Sequence, residues 1–356
     1  MKWLCVVSML SGLALSPAFA QETPITQGMH AQQRDAFVSH LMKQMTLEEK
    51  IGQLRLISVG PDNPKEAIRE GIRKGQIGAI FNTVTRPDIR VMQDQAMQLS
   101  RLKIPLFFAY DVVHGQRTVF PISLGLAASF DLEAIALSAR VAAQEASDDG
   151  LNMTFAPMVD ITRDPRWGRV SEGFGEDTWL VSKIAKVMVD GFQNGDPAKP
   201  GSVMASVKHF ALYGAVEGGR DYNTVDMSPL RMHQDYLPPY KAAVDAGSGG
   251  VMVSLNAING VPATANPWLL KDLLRDQWGF KGITISDHGA IKELIKHGVA
   301  ADARDAVRLA ITSGVDMSMS DEFYDKYLPG LVKDGLVAES DIDRACRDVL
   351  NTKYDM

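Results

Sequence analysis

KGITISDHGA, residues 281–290, is the stretch from which the fold can be read. Ile283, Thr284 and Ile285 form a short run of strand formers that reads as a buried parallel strand, and the run stops abruptly at Ser286, Asp287, His288 and Gly289. A carboxylate at the carboxyl end of such a strand lies where parallel α/β folds place their chemistry. Asp287 is therefore the first candidate for a catalytic residue.

Working outward, the same arrangement recurs. Apolar runs at LRLISV (54–59), IGAIFNTV (77–84), PLFFAYDV (105–112), NMTFAPMVDI (152–161), SVMASVKHF (202–210), GGVMVSLN (249–256) and GVDMSMS (314–320) join GITISDH (282–288) as strand candidates. Amphipathic segments such as DLEAIALSARVAAQEA and DARDAVRLAITSG lie between them, several ending in glycine as a helix stop should. Eight such repeats predict a (β/α)8 TIM-type barrel. An open doubly wound sheet is the competing architecture, but no G-x-G-x-x-G opens a helix after a first strand and no G-x-x-x-x-G-K-[ST] occurs. No nucleotide cofactor is expected.

The chain has 356 residues, 46% of them hydrophobic, enough for one barrel-sized domain or two ordinary ones. Its 37 basic and 43 acidic side chains give a net charge of −6, which argues against a grip on nucleic-acid phosphates and suits a neutral, polar small substrate. Residues 1–20, MKWLCVVSMLSGLALSPAFA, read as a cleavable secretory signal ending in Ala18-Phe19-Ala20, and an uncleaved anchor is the competing reading. Residues 21–34 are polar and patternless, a flexible lead-in to a domain at 35–356. Thr46-Leu47-Glu48-Glu49 forms a capping box for an early helix. Cys5 falls in the signal, so Cys346 has no intramolecular partner in the mature chain and reads as a small core residue.

On a barrel, the ends of several strands together form the site. Those ends carry Asp111, His114 and Arg117; Asp160, Arg166 and Arg169; Lys208 and His209; Asn256; Asp287 and His288; Ser320 and Asp321. Carboxylates accept from hydroxyls while Lys and Arg donate to them, so this ring suits a sugar. Each residue also has a duller reading. Asp160 could pair with an arginine, Lys208 could be a counter-ion for Asp111 or Asp287, and His209 could be a satisfied core histidine. Neighbours on a strand point to opposite faces, so Lys208 and His209 share the site only if the strand is interrupted there. Trp167 and Trp179 read as packing residues or as sugar platforms.

The runs AYDVVHGQR, APMVDITRDPRWGRVSEGFGED, SVKHFALYGAVEGGRDYNTVDMS, VMVSLNAINGVPAT and GITISDHGAI, in this order, resemble the amino-terminal barrel of glycoside hydrolase family 3. The resemblance runs from about residue 30 to the end of the chain. It implies a retaining, exo-acting β-glucosidase without a cofactor or metal, acting in the periplasm on β-glucosides or oligosaccharides. Asp287 matches the family's nucleophile, and Asp111, Arg117, Arg169, Lys208 and His209 match residues that bind the terminal sugar, with Met252 in a matching position nearby. Two departures bear on the leaving-group side: Leu255 stands in SLN where many relatives have tyrosine, and His288 stands where many have tryptophan. Residues 210–232 contain no histidine, unlike the N-acetylglucosamine-cleaving branch. In the two-domain branch the acid/base glutamate lies on a second α/β sandwich domain, and the chain, ending at NTKYDM, is expected to lack it. Glu172, Glu176 and Glu217 are candidate substitutes that no motif places.

Three competing functions remain on residues alone. A Schiff-base enzyme would use Lys208 and be trapped by borohydride. A metal hydrolase would use His114, His209, His288 and the aspartates, although no strand carries a closely spaced histidine pair. A non-catalytic sugar-binding barrel would give no covalent adduct on Asp287.

Overall fold

A computed structural model describes residues 24–60 and 63–356, so the segment expected to be a secretory signal, 1–20, lies outside the described residues. The strands run, in chain order, β1 (Arg55–Ser58), β2 (Ala79–Phe81), β3 (Phe107–Tyr110), β4 (Met153–Thr154), β5 (Met204–Phe210), β6 (Gly250–Val253), β7 (Ala257–Ile258), β8 (Val261–Pro262), β9 (Ile283–Ser286) and β10 (Ser318–Met319). Eight of them pair in parallel in the order β10-β1-β2-β3-β4-β5-β6-β9, and a parallel bridge from Ile285 to Met317 joins the two ends. This is a (β/α)8 barrel, one strand from each expected run. β7 and β8 form a separate antiparallel hairpin after β6.

The paired segments are shorter than the apolar runs. In 152–161 only Met153 and Thr154 pair regularly, since Pro157 has no N–H to extend the ladder. Of the strand residues, Leu56, Ile80, Phe108, Met153 and Val251 are fully or almost fully buried. The helices pack outside. Asp131, Asp177 and Asp302 cap three of them by accepting backbone N–H bonds at 2.7–3.1 Å. Gly150 and Gly314 end two at φ 96° and 111°, a conformation that favours glycine. The expected capping box forms: Glu49 N–H donates to Thr46 Oγ1 at 3.2 Å and Thr46 N–H to Glu49 Oε2 at 2.9 Å.

One expectation is corrected. Residues 24–34, read as a flexible lead-in, belong to a helix spanning Pro24–Met42. Its partner is distant in sequence: Arg34 donates to Asp355 at 2.8 Å and the Phe37 and Tyr354 rings lie 5.3 Å apart. Local pattern could not reveal a helix held by the far end of the chain.

The last helix, Glu339–Tyr354, seals the amino-terminal face of the barrel. Its Lys353 donates to Gln53 Oε1 and Gly78 O, both at 2.8 Å. Arg275 and Arg344 converge on fully buried Asp316 at 2.6 and 2.5 Å and flank Asp348 at 3.2 and 3.5 Å. Cys346 is buried on this helix, its thiol pushed up to about 12 by burial, as suits a core residue. Among the described residues no helix is long and apolar enough to cross a membrane.

Candidate active site

The carboxyl ends of the strands enclose a cavity of about 470 Å³, lined by Asp111, Arg169, Lys208, His209, Met252 and Asp287 together with Phe81, Asn82, His114, Glu172 and His288. Asp287 is the first residue past β9. Its Oδ1 accepts the His288 N–H at 2.6 Å. Its Oδ2 is buried without a hydrogen-bond partner and lies 3.6 Å from His209 Nε2. A buried carboxylate oxygen left unpaired costs free energy unless a ligand meets it; Asp321 Oδ2 is also buried without a partner, but Asp321 does not line the cavity and Asp287 does.

β5 supplies two neighbours to one cavity because its ladder is interrupted. The register with β6 slips between Val207 and Phe210. Lys208 Nζ donates to Asp111 Oδ1 at 2.5 Å, so Lys208 is the charge partner of Asp111 and also lines the cavity. Its side chain is 5% exposed while that of Asp111 is 49% exposed, which leaves the carboxylate accessible from the cavity.

His209 is buried and oriented from behind. Its Nδ1 lies 2.9 Å from Oδ2 of fully buried Asp160, whose Oδ1 accepts from Tyr240 Oη at 2.5 Å. Asp160 thus pairs with His209 and not with an arginine. Burial by itself raises the Asp160 pKa, but the hydrogen bonds from the His209 ring, the His209 backbone N–H and Tyr240 oppose it, and the carboxyl is held below its ordinary value.

Arg169 holds Glu172 in a two-pronged contact at 2.7 and 2.8 Å, and its Nη2 lies 3.1 Å from His209 Nε2. Burial pushes the Glu172 pKa up, yet the Arg169 guanidinium prevails and keeps it below the usual carboxylate range. Glu172 is therefore an anion at neutral pH and a poor proton donor. The Tyr213 ring supports both groups, edge-on to His209 at 5.2 Å and 5.5 Å from the Arg169 guanidinium.

Other residues of the expected ring point elsewhere. Arg117 turns out of the cavity to an ion pair with Asp149. Arg166 pairs with Asp164 on the surface. Asn256 is buried, donating to Ala211 O at 3.4 Å, and Asp321 folds back onto Ser318, with burial raising its pKa. Trp167 is core, with its indole N–H on Asp221 at 2.9 Å, and exposed Trp179 does not line the cavity. Leu255 is buried, whereas His288 reaches the cavity with its ring centre 6.4 Å from that of Phe81, the two rings edge to face. Sequence reasoning did not place Glu172, Tyr213 or Tyr240 beside these groups. The spacing Arg169-x-x-Glu172 was a usable signal for the first, since residues three apart in a turn can meet; the tyrosines gave none.

A carboxylate with a free oxygen, beside a lysine–aspartate pair, an arginine and an imidazole, can attack an electrophilic carbon while several hydroxyls are held. The chain matches the model of the glycosyl hydrolase family 3 N-terminal domain over residues 46–352. It is 68% identical over its whole length to a periplasmic β-glucosidase of Salmonella typhimurium, covering 46% of that protein. It is 35% identical over 89% of its length to a putative β-xylosidase of Formosa agariphila, covering 45%. The crystal structure of a β-glucosidase from Listeria innocua in complex with isofagomine superposes with a TM-score of 0.84 at 41% identity, over 91% of this chain and 46% of that one. The chain thus spans about half the length of the curated relatives it matches, 46% in the Salmonella case. Motifs, barrel and relatives agree, and the chain belongs to glycosyl hydrolase family 3.

Proposed function

We propose that this barrel carries the sugar site and nucleophile of a retaining β-glucosidase. Asp287 Oδ2 attacks the anomeric carbon of a terminal β-glucosyl residue, the C1–O bond to the leaving group breaks, and the glycosyl ester on Asp287 is later hydrolysed. Asp111, Arg169 and Lys208 bind the sugar hydroxyls, with Met252 against the ring; His209, matched by motif, has its two ring nitrogens engaged by Asp160 and Arg169 and lies beside the nucleophile. Arg117, matched by motif but paired with Asp149, would need to leave that contact to take part. The observation that carries the reading is the buried, unpartnered Asp287 Oδ2 at a cavity walled by hydroxyl-binding groups.

The proton for the leaving group comes, in this reading, from a carboxyl group outside the barrel, because Glu172 is held ionised by Arg169. Export to the periplasm belongs to the same proposal, supported by the signal-like sequence of residues 1–20 and by the name of the Salmonella relative. Mass spectrometry after incubation with a 2-fluoro glucoside bearing a dinitrophenol leaving group, which needs no proton, tests the reaction. An adduct on Asp287 is expected. An unlabelled chain, or a label on another carboxylate, would leave a sugar-binding barrel as the better account.

A further inference from the structure

His209 is anchored by a carboxylate that does not line the cavity. Oδ2 of Asp160 accepts from both the backbone N–H and the ring Nδ1 of His209, each at 2.9 Å. Tyr240 Oη lies 2.5 Å from Asp160 Oδ1 and 2.7 Å from the His209 carbonyl. An ionised carboxylate can only accept, so Nδ1 carries the proton. The other ring nitrogen, Nε2, sits 3.1 Å from Arg169 Nη2 and 3.6 Å from Asp287 Oδ2. A guanidinium can only donate, so Nε2 offers its lone pair to Arg169. A proton on Nε2 would oppose the Arg169 N–H and point instead to the one Asp287 oxygen that lacks a partner.

We propose that Asp160 is a positioning residue for the nucleophile: by fixing the proton of His209 on Nδ1, it keeps Nε2 bound to Arg169 and leaves Asp287 Oδ2 free to attack. The inference rests on the reading of Asp287 given above. It turns on where one proton sits, which separates it from a purely structural role for a buried acid.

The geometry distinguishes two substitutions. Both His209 donors converge on a single Asp160 oxygen. In Asp160→Asn the amide oxygen takes that place, and the amide NH2 faces Tyr240 Oη, which can accept it while donating to the His209 carbonyl. The Nδ1–H form survives. In Asp160→Ala no acceptor remains, and the imidazole is released to the Nε2–H form.

The test combines ring-nitrogen NMR shifts of His209 in the intact chain with the rate of adduct formation on Asp287 by the 2-fluoro glucoside. His209 is expected as Nδ1–H in the parent chain, in Asp160→Asn and in Tyr240→Phe, which removes a buried bond to the same carboxylate. It is expected as Nε2–H in Asp160→Ala, which labels about tenfold or more slowly than Asp160→Asn while its affinity for gluconolactone changes less. An Nε2–H His209 in the parent chain overturns the proposal, as does equal slowing in Asp160→Ala and Tyr240→Phe. If Asp160→Ala fails to fold, the parent and Asp160→Asn spectra decide: loss of Nδ1–H in either one refutes the mechanism. A parent chain that takes no label refutes the nucleophile assignment, and the His209 spectrum still decides the role of Asp160.

Discussion

Lys208 pairs with Asp111 and lines the cavity, so under the proposed sugar-binding reading its removal should be felt in binding. Lys208→Met strips a charged donor and leaves Asp111 without its 2.5 Å partner, so gluconolactone affinity measured by calorimetry should fall about tenfold to a hundredfold. An unchanged affinity would return Lys208 to a purely structural role. Asp287, Asp111, Lys208 and His209 were legible because each follows an apolar run, and a strand end on a barrel is a site by construction. Arg117 follows such a run as well. Its side chain was not legible, because the choice between cavity and surface is made by Asp149, in a helix 32 residues further on.

At the scale of elements, the capping box of the helix Leu47–Gln53 stands on two local hydrogen bonds. Thr46→Ala should lower stability by about 1 kcal/mol, read as a shift in the urea midpoint. The helix Glu339–Tyr354 offers a sharper test, because burial moves the pKa values of two of its residues in opposite directions. Burial, reinforced by the charge of Asp316 and only partly offset by Arg275 and Arg344, raises the Asp348 carboxyl to about 7. The unfolded chain binds fewer protons there than the folded one between 3.8 and about 7, so this residue makes stability fall as pH rises through that window. Burial lowers the Lys353 ammonium from 10.5 to about 7. The unfolded chain then binds more protons, and this residue makes stability rise with pH between about 7 and 10.5. Denaturation midpoints across pH should show Asp348→Asn flattening the acid-side fall and Lys353→Met flattening the alkaline-side rise. Parallel curves for parent and variant would contradict either assignment. The two polar side chains gave no sign in the sequence, since an amphipathic helix end carries such residues routinely; only docking against the barrel base buried them.

For the molecule as a whole, the proposed division of labour predicts a contrast between substrates. Aryl glucosides with good leaving groups should form the Asp287 adduct on this chain, while cellobiose, whose leaving alcohol needs a proton, should be cleaved far more slowly than by the Salmonella relative, of which the chain covers 46%. Equal rates on cellobiose would place a proton donor within this barrel. The alternation of strand and helix, the order of the strands and the identity of the nucleophile candidate were determined by the sequence itself, because they depend on local periodicity and on the rule that parallel strands present their carboxyl ends on one face. Tertiary structure alone decided which strand-end residues face inward, that Lys208 and His209 share a cavity, that Asp160 and Tyr240 stand behind His209, and that Glu172 is ionised. Those outcomes depend on burial and on partners up to 97 residues apart, as in the Lys208–Asp111 pair, and distances across a closed barrel are not encoded in any local pattern of side chains.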